Sequence, residues 1–386
     1  MFSGHFPLGK GRRDSLATQQ FRFNMDLSVF LIATALLSGC FADGEFKDQT
    51  VLQNELGNSL YDQCPTEDAS FPYGSCMLQQ ECDLIGGVVS GSCMEGLGSC
   101  CIVKKSCSDS TTFNNTYFVN PGEGDIGKCS LTIHRMKDDI CQIRLDFLEL
   151  HLSQPDWDGH CNDDFLVVTG EMDTFVPILC GHNDGQHMYV EVVPDGGALE
   201  IVIDSALPSS SRSWRIQATQ IGCDSRYLAP SGCLQYYTES VGNVKSFNFL
   251  PESLKDTATS QIANHNYGVC VKRMPGYCGI IWERDYTTHL SFTVTGPVDA
   301  LFPDLLGTPD ACSTGDACTS DYVIIPGGFS EFFQPEQNDR FCGLGFPLSV
   351  TSTSSPFVLH VRTDDNEEGD SMNLGFSLHY RQTADC

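Results

Sequence analysis

Few stretches of this chain place reactive residues at the spacing that catalysis requires. Gly369-Asp370-Ser371 begins like a serine nucleophile loop but continues Met372-Asn373, so no glycine follows to supply oxyanion-binding amides. There is no Gly-Asp-Ser-Gly-Gly and no Ala-Ala-His-Cys, no phosphate-cradling glycine loop, no dinucleotide fingerprint and no HExxH helix. The ten histidines are scattered. His182 and His187 come nearest to a pair, but at loop spacing and without a third ligand they do not make a metal site. The reading is that the chain is not an enzyme. The residues that do carry chemistry are cysteines, and their chemistry is cross-linking.

Twenty cysteines in 386 residues point to an oxidising compartment, where disulfides persist. The start of the chain agrees. Leu27 to Leu37 is an apolar run followed by Gly-Cys-Phe-Ala42, an h-region with a cleavage site after Ala42. That run is too short to cross a bilayer, which takes about 20 apolar residues. Residues 1–42 are therefore expected to be a signal peptide with an N-terminal extension, starting at Met1 or Met25, and the protein to be secreted with no stable membrane insertion. Residues 43–63 are polar and read as a flexible leader. With 50 acidic against 22 basic residues the formal net charge is −28, which repels phosphate backbones and argues against nucleic acid as a partner.

Several elements must position these cysteines. From Cys64 to Cys101 the spacing is C-x11-C-x5-C-x10-C-x6-C-C, six cysteines in a stretch too short to enclose an apolar core, so disulfides must stabilise it. Fifteen pairings of six cysteines are open from sequence. Beyond it the apolar pattern has the period of two that marks strands. Ile143, Leu145 and Phe147 alternate with polar residues, then the phase slips and Leu148, Leu150 and Leu152 continue on the other parity, which predicts a bulge. Similar alternation recurs at Leu199–Ile203, Trp214–Ile216, Leu290–Val294, Phe357–Val361 and Phe376–Tyr380. No segment sustains a helical period. Residues 223–232 read as a linker, and the Pro-rich insert at 296–317 as a long loop.

A compound pattern occurs twice. Cys161-Asn-Asp-Asp164-Phe-Leu-Val-Val closes at Cys180-Gly181, and Cys318-Thr-Ser-Asp321-Tyr-Val-Ile-Ile closes at Cys342-Gly343. Arg135-Met136 precedes Cys141, and Arg273-Met274 precedes Cys278. Cys223 and Cys386 each stand just past a last strand. Repeat equivalence therefore predicts Cys141–Cys223 and Cys278–Cys386 as matching bridges.

The paired cysteines, the aspartate before an aromatic strand and the Cys-Gly resemble the second half of a CUB domain. Cys129-Ser-Leu-Thr-Ile, Ile143-Arg-Leu-Asp-Phe and Val119-Asn-Pro-Gly122 are similar to its first half. The Cys100-Cys101 pair and the short first spacings resemble a clip module, with a third spacer shorter than that family uses. The whole resembles secreted arthropod proteins with tandem CUB domains behind a cysteine-rich N-terminus. The resemblance implies an all-β fold: a clip-like module over 64–101 and two antiparallel, jelly-roll-type β-sandwiches over 107–223 and 233–386. It also implies Cys107–Cys129, Cys161–Cys180, Cys233–Cys270 and Cys318–Cys342, and in the clip-like module Cys64–Cys100, Cys76–Cys93 and Cys82–Cys101. Cys312 is then left over, either exchanging with Cys318 or pairing with another chain.

Many CUB domains hold Ca²⁺ with carboxylates on converging loops. The resemblance places such ligands at Asp164 and Asp204 in the first sandwich and at Asp321 and Asp364, beside Asn366, in the second, while Ser153 stands where a glutamate belongs. Two ligands of three imply a weak site and no firm cofactor; the alternative role of these aspartates is to cap turns. Asn114-Asn-Thr116 is the one glycosylation triplet. The expected function is non-catalytic recognition of an extracellular protein or glycan. The rival readings are a regulator of a protease cascade acting through the clip-like module, or a matrix or cuticle component.

Overall fold

In the computed structural model, the alternating stretches pair into sheets; described are residues 62–386 except 123–126, 171–175, 193–196, 206–211, 251–260, 289, 299–301, 334–337, 366, 368 and 371. The expected signal peptide, nearly all of the expected leader, Ser371 and Asn366 lie outside these. The described residues fall in one compact unit, Asn58–Cys386.

The cysteine-rich stretch forms β1 (Gln63–Pro65), β2 (Tyr73–Met77), the short helix α1 (Gln79–Leu84), β3 (Val88–Cys93) and β4 (Gly98–Lys105). β4 outruns the cysteines and pairs in parallel with β6 (Thr116–Val119), so this stretch extends the sheet of the sandwich that follows. That sandwich adds β5 (Asp109–Thr111), β7 (Lys128–Ile133), β8 (Ile140–His151), β9 (Asp164–Thr169), β10 (His187–Glu191), β11 (Leu199–Ser205) and β12 (Ser213–Gly222). One sheet runs β1-β2-β4-β6-β12-β8-β10 with β3 beside β4, and the other β5-β7-β11-β9. The register of β8 on β12 jumps from Glu149 to Phe147, which leaves Leu148 as the bulged residue where the alternation slips. The inward parity buries Phe118, Leu131, Leu145, Phe147, Ile201 and Trp214 between the sheets. Each such side chain contributes about 1.5–3 kcal/mol by leaving water.

The second sandwich comprises β13 (Cys233–Tyr237), β14 (Val241–Lys245), β15 (Asn266–Val271), β16 (Gly279–Arg284), β17 (Phe292–Thr293), β18 (Cys312–Thr314), β19 (Tyr322–Ile324), β20 (Arg340–Gly343), β21 (Ser349–Ser352), β22 (Phe357–Arg362) and β23 (Gly375–Thr383). Its sheets run β13-β15-β22-β19-β20-β18 and β14-β23-β16-β21, with β17 on β23. Two expectations are corrected. The insert at 296–317 is not a bare loop, because Cys312–Thr314 adds a strand to β20 and 3-10 turns flank it. The alternation of Leu290, Phe292 and Val294 yields only a two-residue strand, since all three are buried and pairing ends at Thr293.

Candidate functional site: acid loops and the seam between sandwiches

Nine disulfides join described residues. In the N-terminal stretch they are Cys64–Cys100, Cys76–Cys93 and Cys82–Cys101. The first sandwich holds Cys107–Cys129, Cys141–Cys223 and Cys161–Cys180, and the second Cys233–Cys270, Cys278–Cys386 and Cys318–Cys342. Cys312 is a half-buried free thiol. Burial pushes its pKa up, so little of it is the thiolate that exchange or cross-linking needs.

The first pair of aspartates is not brought together as a cation site. The Asp164 side chain is 1 % exposed and receives a 2.6 Å hydrogen bond from Nη2 of Arg212, whose side chain is likewise 1 % exposed. The Ser153 hydroxyl donates to the other Asp164 oxygen at 2.6 Å. The protein's own guanidinium thus supplies the positive charge that a metal would bring. Asp204 does not face Asp164, because Ser205 is the residue registered opposite Asp164 and neighbours on a strand point to opposite faces. Asp164 thus stands in an internal ion pair, and Asp204, the other expected ligand, is a half-buried strand residue that does not join it.

The second pair does meet, in a larger acid cluster. Asp321 is 0 % exposed, accepts the Asp364 amide at 2.7 Å on Oδ1 and the Gln261 amide at 2.8 Å on Oδ2. Glu367 and Asp370 join them from the loop before β23. Glu367 is 5 % exposed, and neither of its oxygens has a hydrogen-bond partner. Gln261, its one pKa-lowering influence, already gives its Nε2 hydrogens to Asp321 and the Val294 carbonyl. Asp370 accepts the Gly296 amide, and the Oδ1 of buried Asn373 is also without a partner. Burial, then the charge of its acidic neighbours, raises Asp321 to about 7 and Glu367 to about 9, and burial raises Asp370. Hard, orphaned oxygens suit Ca²⁺ in kind. As they stand, no group of three or more His, Cys, Asp or Glu among the described residues is arranged to hold a metal ion. Glu367 and Asp370 escape sequence reasoning because a glutamate is sought before the third cysteine, not in the run Asp364–Asp370.

His182 stacks on His151 with ring centres 4.6 Å apart, and His151 pairs with Asp184 at 2.7 Å. His187 lies in a seam where the two sandwiches meet. Its Nε2 faces both the N–H and the C=O of Tyr236, at 3.1 and 3.0 Å. In return His265 of the second sandwich directs Nε2 at the Ile178 carbonyl of the first, 3.1 Å away. Gln142 grips both backbone groups of Ala229 at 2.8 and 2.9 Å. Asn248, in a left-handed conformation at φ 61°, accepts the His182 amide at 2.9 Å and donates its own N–H to Asn183 at 2.8 Å. Gln186 donates to the Ser246 carbonyl at 3.0 Å, and Phe147 meets Phe247 edge to face. Gly181, at φ +73°, leaves the space that Asn248 fills, and a Cβ there would strike the Asn248 amide.

The glycosylation triplet lies in the turn entering β6. Asn114 is half-buried and its Oδ1 accepts the amides of Asn115 and Gln220, at 2.9 and 2.7 Å, while Thr116 is buried and bonded to Thr111.

Paired sheets, antiparallel except where β5 lies parallel to β7, β13 to β15 and β4 to β6, with a disulfide closing each Cys-Gly turn, define a CUB-like β-sandwich rather than the purely antiparallel one expected. Residues 230–383 match the family described as Animal CUB domain. Among solved structures the chain is similar to the CUB1-EGF-CUB2 domains of rat MASP-1, at 13 % identity over 72 % of this chain and 99 % of that one, with a TM-score of 0.23. It is similar also to the CUB1-EGF-CUB2 domain of human MASP-1/3, at 15 % identity over 69 % and 98 %, with a TM-score of 0.24. No curated protein matches the chain. CUB domains are typically extracellular, non-catalytic modules of protein–protein interaction. No helix among the described residues is long and apolar enough to cross a membrane.

Proposed function

We propose that this is a secreted, non-catalytic recognition protein that binds an extracellular protein through loops of its second sandwich. The observation that carries this reading is the acid cluster of Asp321, Glu367 and Asp370, in which both buried oxygens of Glu367 lack a hydrogen-bond partner, within the segment matched by the CUB family. A fold's core does not need a carboxyl left without a partner, so the buried Glu367 supports a ligand-facing role for these loops. Any Ca²⁺ bound at these loops falls in the weak extracellular class of about 10⁻⁴–10⁻³ M, because the Asp321 and Asp370 oxygens are already bonded by the protein. The test is capture from extracellular fluid by immobilised full-length protein, with and without millimolar Ca²⁺. Selective retention of an intact protein, reduced for the Asp321→Asn variant, is expected. Cleavage of the retained protein, or equal retention by the variant, overturns the reading.

A second reading, regulation of a protease cascade through the cysteine-rich stretch, is favoured by one observation. Leu84, Val88 and Leu97 are exposed there, and residues 62–103 contain no Lys, Arg or His. An apolar surface without basic residues fits a partner that is itself basic.

A further inference from the structure

We propose that the seam between the two sandwiches is a pH-sensitive latch, held closed by neutral His187 and His265 and released by mild acid. The arrangement is reciprocal, since each sandwich contributes one buried histidine whose Nε2 engages the backbone of the other. With its proton on Nδ1, His187 accepts the Tyr236 N–H at Nε2. Protonation converts that nitrogen to a donor, so the bond from the Tyr236 N–H is lost and only the Tyr236 carbonyl remains for it; His265 keeps its bond to the Ile178 carbonyl and opposes docking through the burial of its charge.

Only the Tyr236 and Ile178 carbonyls, which the neutral rings already face, favour the charge, and no uncommitted carboxylate stands by to offset its burial. His187 is packed among the rings of Tyr189 and Tyr237, and the nearby charged groups are Arg144, which disfavours a second cation, and Asp146, which is already engaged by Arg144. His265 is packed against Phe247 and Tyr267, with no carboxylate among the influences on it. His182, beside Asn248 in the same seam, has its pKa lowered by burial and by His151, against the raising influence of Asp184. Burial lowers His187 to about 3 and His265 to about 4. A histidine with a depressed pKa contributes its full share of docking above its open-state value and loses that share as pH falls below it. With open-state values near 6.5, each histidine weakens docking about 30-fold between pH 7.5 and 5.0, and the two together on the order of 10³-fold. The acid cluster acts the other way, because its raised carboxyls favour the folded second sandwich at low pH. Acid therefore separates sandwiches that remain folded.

Hydrogen exchange on the full-length protein with its disulfides intact reads this directly. The Tyr236 amide, bonded to His187 across the seam, is compared with amides of β11 inside the first sandwich, after correction for the pH dependence of intrinsic exchange. Tyr236 protection is expected to fall on the order of 10³-fold from pH 7.5 to 5.0, with the loss beginning near pH 6.5, while β11 keeps its protection. In the doubly substituted His187→Gln, His265→Gln protein, which retains neutral donors but cannot titrate, protection should not depend on pH. Unchanged Tyr236 protection in the wild type, a loss that begins only below pH 4.5, or a parallel loss in β11 overturns the proposal. So does an equal pH-dependent loss in the variant. If the variant fails to fold, the wild-type profile decides alone.

Discussion

At the scale of single residues, this molecule handles buried charge in two ways. Asp164 is neutralised by Arg212 and Ser153, with both ion-pair partners out of water. Removing one member of such a pair strands the other, which costs about 3–5 kcal/mol. Arg212→Leu should therefore lower stability by that amount in chemical denaturation, whereas replacing both residues with apolar ones should cost much less. Glu367 is the opposite case, a buried carboxyl with no counter-charge, raised to about 9. Its folded-state pKa lies above the unfolded value near 4.3, so the folded state holds the proton more tightly. The stability it contributes is complete below about pH 4 and is lost as pH rises through 9. The wild-type protein should melt at a lower temperature at pH 9 than at pH 7, and Glu367→Gln should narrow that difference. Neither arrangement is legible in sequence. Asp164 reads as a ligand because it follows a cysteine like Asp321 does, yet its fate depends on Arg212, 48 positions away.

At the scale of elements, the strands follow from alternation because a half-buried sheet must place every second side chain inward. Phe147 and Leu150 both reach the core on opposite parities, and the bulge at Leu148 is what permits it. Where burial is two-sided the pattern fails, as at Leu290–Val294, and where a strand is three residues long, as at Cys312–Thr314, there is too little period to see. The seam was equally hidden. Its bonds come from Gln142, His187, Asn248 and His265, polar residues that a period-two reading assigns to water. The bridge Cys141–Cys223 ties β8 to the end of β12 across a separation of 82 residues. A loop that long is worth about 4–5 kcal/mol in the chain-entropy account. Replacing both cysteines with serine should lower the denaturation free energy by up to that amount, while Tyr236 protection across the seam at pH 7.5 changes little.

At the scale of the whole molecule, a cysteine-rich stretch extends one sheet of the first sandwich, and the first sandwich is latched to the second. The net charge of −28 favours solubility and steers basic surfaces toward the protein over several ångströms of screened field. The fold class is readable from cysteine spacing and alternation; the partner is not, because recognition depends on loops whose side chains meet only after folding. In the proposed function the second sandwich does the binding through its acid loops. Cross-linking mass spectrometry on the complex captured from extracellular fluid tests it most directly. Cross-links are expected from the partner to residues 290–298 and 318–322 and to the loop between β22 and β23. Cross-links confined to residues 64–101 would contradict it.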